Sequence, residues 1–144
     1  MFPIFKEKSL KSLPFLSDLS KDVQNAIIGM VEDKELTGAE NELVILHNHN
    51  SWDIPVKRLI FAGLGKKSDY TYETLRKTAG SVIRKARRHG CKKITISVNE
   101  HWLSTLNLKQ AIQAYSEGSV MGAYRFQRYK TDRSEEHTSE LQSP

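Results

Sequence analysis

Short apolar runs alternate with amphipathic helical segments along this chain, and that order restricts the fold more than any other feature of the sequence. Short apolar or alternating runs suit strands, whereas an apolar stripe that recurs every three to four residues suits a helix. The strand-like runs are Phe2–Phe5, Leu43–Leu46, Leu59–Ala62 and Ile94–Val98. Strands that alternate with helices predict a three-layer α/β domain in which helices flank a mixed β-sheet.

The connection between the second and third runs is short and contains turn-forming residues. His47-Asn48-His49-Asn50-Ser51 favours a turn, and Pro55 precedes the next apolar run. A connection of this length suits an antiparallel pair of strands, because parallel strands need a longer crossover.

The segment between Thr71 and Gly90 carries the clearest helix signal. Thr71 can cap the first turn, and Gly90 suits the left-handed position that follows the last turn. Two further helices are predicted to begin after Ser20 and Asn107. The residues expected on the buried faces are Val23, Ala26, Ile27 and Met30 in the first helix, Leu75, Ala79, Val82, Ile83 and Ala86 in the second, and Leu108, Ala111, Ile112, Tyr115 and Ser119 in the last.

Length and composition are those of one globular domain. The chain has 144 residues, of which 38% are hydrophobic and 27% charged, with a net charge of +5. No apolar run approaches the roughly 18 residues of a membrane span. Residues 1–10 lack the apolar centre of a signal peptide, and the single cysteine, Cys91, cannot form an internal disulfide. These features favour a cytoplasmic protein.

Both ends of the sequence look unnatural. Phe2–Phe5 reads as the end of a strand, so we expect the first strand to be truncated. Residues 133–144 are polar, show no helical or strand period, and resemble the translation of a sequencing adapter. We therefore assign residues 1–132 to the domain and residues 133–144 to an artefactual or disordered tail.

Small residues close the predicted last helix, and aromatic and basic side chains follow them. The run is Gly118-Ser-Val-Met-Gly-Ala-Tyr-Arg-Phe-Gln-Arg-Tyr-Lys-Thr131. It resembles the end of the N-terminal domain of leucyl aminopeptidases, the M17 family of cytosolic metallopeptidases. Lys57–Lys67 is similar to the strand and Gly-Leu-Gly-Lys segment of that family, and Thr71–Ala86 is similar to the helix that follows. The resemblance covers about residues 4–132.

This resemblance implies a macro-domain-like N-terminal domain that helps to build a cytoplasmic homo-hexamer. It also implies that catalysis belongs to a C-terminal domain, absent here, which binds two divalent metal ions, zinc or manganese, and removes N-terminal residues from peptides. The family's Asn-Thr-Asp-Ala-Glu-Gly-Arg motif does not occur in this sequence. No catalytic, cofactor-binding or metal-binding residue can therefore be carried over, and the chain alone is predicted to be inactive.

Two basic features leave an alternative open. The segment Gly63-Leu-Gly65-Lys66-Lys67 could bring backbone amides and lysines to a phosphate, although a tight turn that ends a strand is the favoured interpretation. A second group, Arg84, Lys85, Arg87, Arg88, Lys92 and Lys93, could contact phosphates or form a solvated helix face. The alternative is thus a stand-alone macro-like module that binds ADP-ribose or nucleic acid.

The remaining candidate groups have simple structural explanations. His47 and His49 could offer two imidazoles to a metal, but their asparagine neighbours favour a surface turn. His89 and His101 are isolated in the sequence, and Cys91, beside Lys92 and Lys93, has no histidine base paired with it by sequence. Tyr124, Phe126 and Tyr129 could pack on the sheet or on the missing catalytic domain.

A third hypothesis for the function of the chain is a structural subunit that joins the oligomer of a longer homologue.

Overall fold

A computed structural model describes residues 1–6, 16–49, 52, 54–98 and 100–124. Its strands are β1 (Phe2–Phe5), β2 (Leu43–His47) and β3 (Arg58–Gly65). Its helices are α1 (Lys21–Glu32), α2 (Tyr72–Arg88), the short α3 (Glu100–Leu103) and α4, whose described part covers residues 108–124. Turns of 3-10 helix lie at Leu16–Asp18 and Lys67–Asp69.

The three strands form one mixed sheet in the order β1-β3-β2. β1 runs parallel to β3, and β2 runs antiparallel to β3 with Val44 opposite Phe61 and Ile45 opposite Ile60. The predicted antiparallel pair is confirmed. A register shift in β1 between Ile4 and Phe5 places these neighbours opposite Gly63 and Gly65 of β3.

The alternation of side chains along β3 builds a core on each face of the sheet. Leu59 and Phe61 pack on one face with Val23 and Ile27 of α1. Ile60, in contrast, points to the opposite face. The partners there are Ala62 of the same strand and Val82 and Ala86 of α2. Successive residues of a strand face opposite sides, so β3 supplies both cores, and the predicted three-layer α/β architecture is confirmed.

The ends of α2 have the predicted local structure. Thr71 accepts a hydrogen bond from the backbone N–H of Thr74, and the Thr74 hydroxyl bonds the Thr71 backbone N–H in return, which completes a capping box. After the last turn, Gly90 adopts a positive φ of 73°. The amide of Cys91 then donates to the carbonyl of Ala86 at 2.9 Å, as in a Schellman motif. Ser20 occupies the N-cap position of α1, but its side chain makes no capping hydrogen bond, contrary to the prediction.

The predicted strand Ile94–Val98 does not form, since residues 91–98 have no regular secondary structure. The terminal ammonium of Met1 donates to the Thr95 carbonyl at 2.8 Å, and the indole of Trp102 donates to the Ser97 carbonyl at 2.8 Å. These carbonyls are thus satisfied outside a strand ladder. Ile94 and Ile96 still pack on the two α2-side core clusters, whereas Val98 is 47% exposed. The alternation therefore predicted the burial of two of its three apolar side chains but not strand pairing.

The buried face of α4 also differs from the prediction. Leu108 and Ile112 were expected in the core but are 49% and 46% exposed. Asn107 caps the helix as predicted, its side-chain oxygen accepting from the amides of Lys109 and Gln110. The buried residues are instead small: Ala111, Ala114, Gly118 and Gly122. The prediction was right for Ala111, which is buried, and for Tyr115, which packs against the same core cluster. It was wrong for Leu108 and Ile112, because only small residues fit where α4 crosses α2.

The crossing of α2 and α4 brings the two backbones into direct contact. A Cβ atom added at Gly118 would overlap the carbonyl oxygen of Arg76, and one added at Gly122 would lie 2.7 Å from the Cα of Gly80. Real Cβ atoms essentially never approach other heavy atoms that closely. The glycines on both helices therefore set the distance between them.

Among the described helices, none is long and apolar enough to cross a membrane.

Candidate functional site

An ion-pair network joins the exposed edges of α2 and α4. Arg76 of α2 pairs with Glu73 on its own helix and, at 3.0 Å, with Glu117 of α4, while Gln113 donates to Glu117 at 2.8 Å. The hydrogen bonds from Gln113 and from Arg76 lower the pKa of Glu117, and those to Glu73 and Glu117 raise the pKa of Arg76. This network orients α4 beside α2 and neutralises the charge of Arg76.

Two adjoining clefts follow the polar side of this helix pair. The first has a volume of about 380 Å³ and lies between the loop residue Asn41 and both helices, with Arg76, Gly80 and Gly118 in its wall. The second, of about 320 Å³, lies between the beginning of β2 and α2. Its lining residues are Asn41, Leu43, Ser81, Arg84, Lys85 and Arg88. We call this second space the basic cleft.

The outer side of α4 carries large apolar side chains in contact with solvent. Five of the seven exposed large hydrophobic residues among the described residues lie on this one helix: Leu108, Ile112, Val120, Met121 and Tyr124. Val120 is 69% exposed and Tyr124 is 63% exposed. Single exposed apolar residues are ordinary, but their concentration on one element is typical of an interaction surface. Met121 also lies in the wall of the first cleft, beside Gly118 and Gly122. We call the other four residues, Leu108, Ile112, Val120 and Tyr124, the apolar face of α4.

The Gly63–Lys67 segment is used by the fold itself. The amide of Gly63 donates to the Glu42 carbonyl at 2.8 Å, and the amide of Gly65 donates to the Gly38 carbonyl at 2.9 Å. A Cβ at Gly63 would overlap the carbonyl oxygen of Ala39, so this glycine admits a neighbouring backbone rather than a ligand. The amides of both glycines are therefore occupied, and the structure favours the tight-turn interpretation.

The loop that occupies these amides is held by the carboxylate of Glu42. That carboxylate accepts hydrogen bonds from the backbone amides of Thr37 and Gly38 and from the Thr37 hydroxyl. Glu42 was not among the site residues predicted from the sequence. A Thr-Gly pair followed by an acidic residue a few positions later was the available signal, because a carboxylate can bind the amides of such a turn.

His47 and His49 meet His89, which is distant from them in the sequence, at the surface. The ring of His47 lies 6.1 Å from that of His49 and 5.9 Å from that of His89, measured between centroids. Within the residues that the structure describes, no group of three His, Cys, Asp or Glu side chains is arranged to hold a metal ion. The described part of the chain therefore offers no ligand set for the metal ions that the family resemblance implies.

The other sequence candidates lie apart from one another. Cys91 is half-buried, with Nη1 of Arg58 3.8 Å from its sulfur, and His101 packs edge-on against Phe5 at 5.9 Å. Arg84 and Lys85 line the basic cleft, whereas Lys92 and Lys93 are exposed beyond the end of α2 and are not among its lining residues. Arg88 also lines that cleft, and Arg87 does not. Phe126, Tyr129 and residues 133–144 lie outside the described residues.

The chain matches a known protein family over most of its length. Residues 1–133 match the cytosol aminopeptidase family, N-terminal domain. The chain therefore belongs to the cytosol aminopeptidase family. It is 34% identical over 106 residues to a probable cytosol aminopeptidase of Geobacter sp. (strain M21), an alignment that covers 71% of this chain. The chain spans 20% of the length of that curated relative.

Proposed function

We propose that this chain is the non-catalytic N-terminal domain of a metal-dependent aminopeptidase, and that its role is to dock on the catalytic part and to support a homo-hexamer. The observation that carries the proposal is the apolar face of α4, the last helix that the structure describes. The chain aligns with only one fifth of the length of its curated relative. Burial of such a face removes apolar surface from water, which favours association. The cytoplasm is the proposed location.

The apolar face is the feature that a docking role requires. Leu108 and Ile112 lie one helical turn apart, as do Val120 and Tyr124, so pairs of apolar side chains are presented together along the helix. The inner side of the same helix is fixed against α2 by glycine contacts and by the Arg76–Glu117 ion pair. The domain thus offers a rigid helix whose outer surface lacks an apolar cover in the described part of the chain.

A hydrolysis assay tests the claim that catalysis lies elsewhere. The purified chain is expected to release no p-nitroaniline from L-leucine p-nitroanilide, with or without added manganese or zinc, because two-metal peptidases need several carboxylates that converge on both ions. Turnover that rises with the metal and is abolished by a chelator would contradict the proposal. The full-length Geobacter relative serves as the positive control.

A co-purification experiment tests the docking role. The affinity-tagged chain is expected to retain the co-expressed remainder of the Geobacter relative. The double variant Leu108→Gln/Ile112→Gln is expected to retain at least tenfold less, since burial of the exposed halves of the two side chains contributes about 1.5–3 kcal/mol in total. Val56→Gln/Val98→Gln is the matched control, because these residues are 42% and 47% exposed away from α4. Equal retention by both variants would contradict docking through this face. Retention of only the intact relative would instead favour a structural subunit of its oligomer.

A further inference from the structure

We infer that the basic cleft is a binding site for the diphosphate group of a small molecule, a role separate from docking. The cleft presents three cationic side chains, from Arg84, Lys85 and Arg88, together with the hydroxyl of Ser81 and the amide of Asn41. No carboxylate is among its lining residues. Its volume of about 320 Å³ lies at the lower end of the range for small-molecule sites.

The spacing of the cations along α2 explains why they converge. Arg84 and Lys85 lie three and four residues after Ser81, and Arg88 lies four and three residues after them, so all four share one side of the helix. Asn41 faces them from the loop before β2, where its φ of 70° is a left-handed conformation that asparagine tolerates better than most residues. Two separate elements thus form opposite walls of the cleft.

The charge in the cleft is not neutralised within the described part of the protein. None of the salt bridges between described residues involves Arg84, Lys85 or Arg88, whereas Arg76 at the other end of the same helix pairs with two glutamates. Like charges held close together repel one another, and an anion of two or three charges relieves that repulsion. A diphosphate meets this requirement better than a single carboxylate does.

Arg84 is positioned to bind such a group. It is half-buried, and its Nη2 atom lies 3.2 Å from the Ser81 hydroxyl, which restricts the direction of the guanidinium. A guanidinium held in this way can donate two parallel hydrogen bonds to phosphate oxygens. Lys85 and Arg88 add charge, and the Ser81 hydroxyl and Asn41 amide can each donate a further hydrogen bond. Arg84 therefore orients the bound phosphate through directed hydrogen bonds, and its neighbours add positive charge and further donors.

Calorimetric titration of the whole chain with pyrophosphate at low ionic strength tests the inference. The wild-type protein is expected to bind, and the triple variant Arg84→Gln/Lys85→Gln/Arg88→Gln is expected to bind about tenfold more weakly or not at all. The triple variant Lys57→Gln/Lys92→Gln/Lys93→Gln removes the same charge from exposed positions outside the cleft and is expected to change the affinity less than about twofold. Arg84→Lys is expected to weaken binding despite its unchanged charge, because the guanidinium fork is lost.

Further ligands distinguish the source of the phosphate. ADP is expected to bind at least as well as pyrophosphate and to compete with it. Absence of binding by the wild-type chain, or equal losses in the two triple variants, would overturn the inference. Binding of a short DNA duplex without binding of pyrophosphate or ADP would also overturn it, because the surface would then recognise a polymer. Circular dichroism of each variant confirms that it is folded before its affinity is compared.

Discussion

Replacing Gly118 by alanine is expected to lower the free energy of unfolding by about 3 kcal/mol, near the upper end of the usual cost of overpacking. The added methyl group would overlap the carbonyl oxygen of Arg76, which belongs to the backbone of a neighbouring helix and cannot rotate away. Alanine would gain up to about 1 kcal/mol of intrinsic helix propensity over glycine, so the steric term decides the sign. Urea unfolding followed by circular dichroism measures the change.

Gly29→Ala is the matched control for this substitution. Gly29 also lies within a helix, but no heavy atom beyond its chain neighbours and its own helix backbone lies within 4 Å of the position that its Cβ would occupy. This variant is expected to gain about 0.5–1 kcal/mol, because alanine loses less backbone entropy on folding. A stable Gly118→Ala protein would show that α2 and α4 can separate at little cost, contrary to the close contact described above.

Replacing Trp102 by alanine is the second substitution with a large expected effect, a loss of about 4 kcal/mol. Its side chain is 1% exposed and packs with Phe5, Leu64 and Leu75, so truncation would leave a large cavity. The side chain also joins α3 to the irregular segment before it through the indole hydrogen bond to Ser97. Urea unfolding monitored by far-ultraviolet circular dichroism measures the loss.

Trp102→Phe separates the two contributions of that side chain. Phenylalanine retains most of the apolar volume but cannot donate to the Ser97 carbonyl, so the expected loss is about 1–2 kcal/mol. Ser97 is exposed, and water can therefore satisfy its carbonyl in the variant. If the phenylalanine and alanine variants lost the same stability, the hydrogen bond rather than the packing would be the dominant contribution.

Local signals predicted those parts of the fold that depend on neighbouring residues. The capping box at Thr71, the left-handed Gly90 and the antiparallel pair of strands are confirmed, because caps, turns and short connections are determined within a few positions. The alternation at 94–98 correctly placed Ile94 and Ile96 towards the core. It could not predict pairing, since pairing requires a partner strand that the local pattern does not contain.

The candidate sites depended on distant contacts and were harder to predict. The glycines at the end of β3 looked suitable for a phosphate, but the carbonyls of Glu42 and Gly38 occupy their amides. The sequence identified Arg84, Lys85 and Arg88 as part of a basic cluster, but it gave no sign that Asn41 forms the opposite wall. The tertiary structure is needed to tell whether a basic cluster lines a cleft or forms a solvated surface.

The arrangement of α4 reverses the usual relation between residue size and tolerance to substitution. In most helices of a globular domain the large apolar positions resist change, whereas here they face outward and small residues face the core. In the isolated chain, a saturation scan of this helix should therefore find Val120 and Tyr124 permissive and Gly118 and Gly122 restrictive. The same scan in a longer protein that buries the outer face should find both sides restrictive, so the difference between the two scans would map what covers the helix.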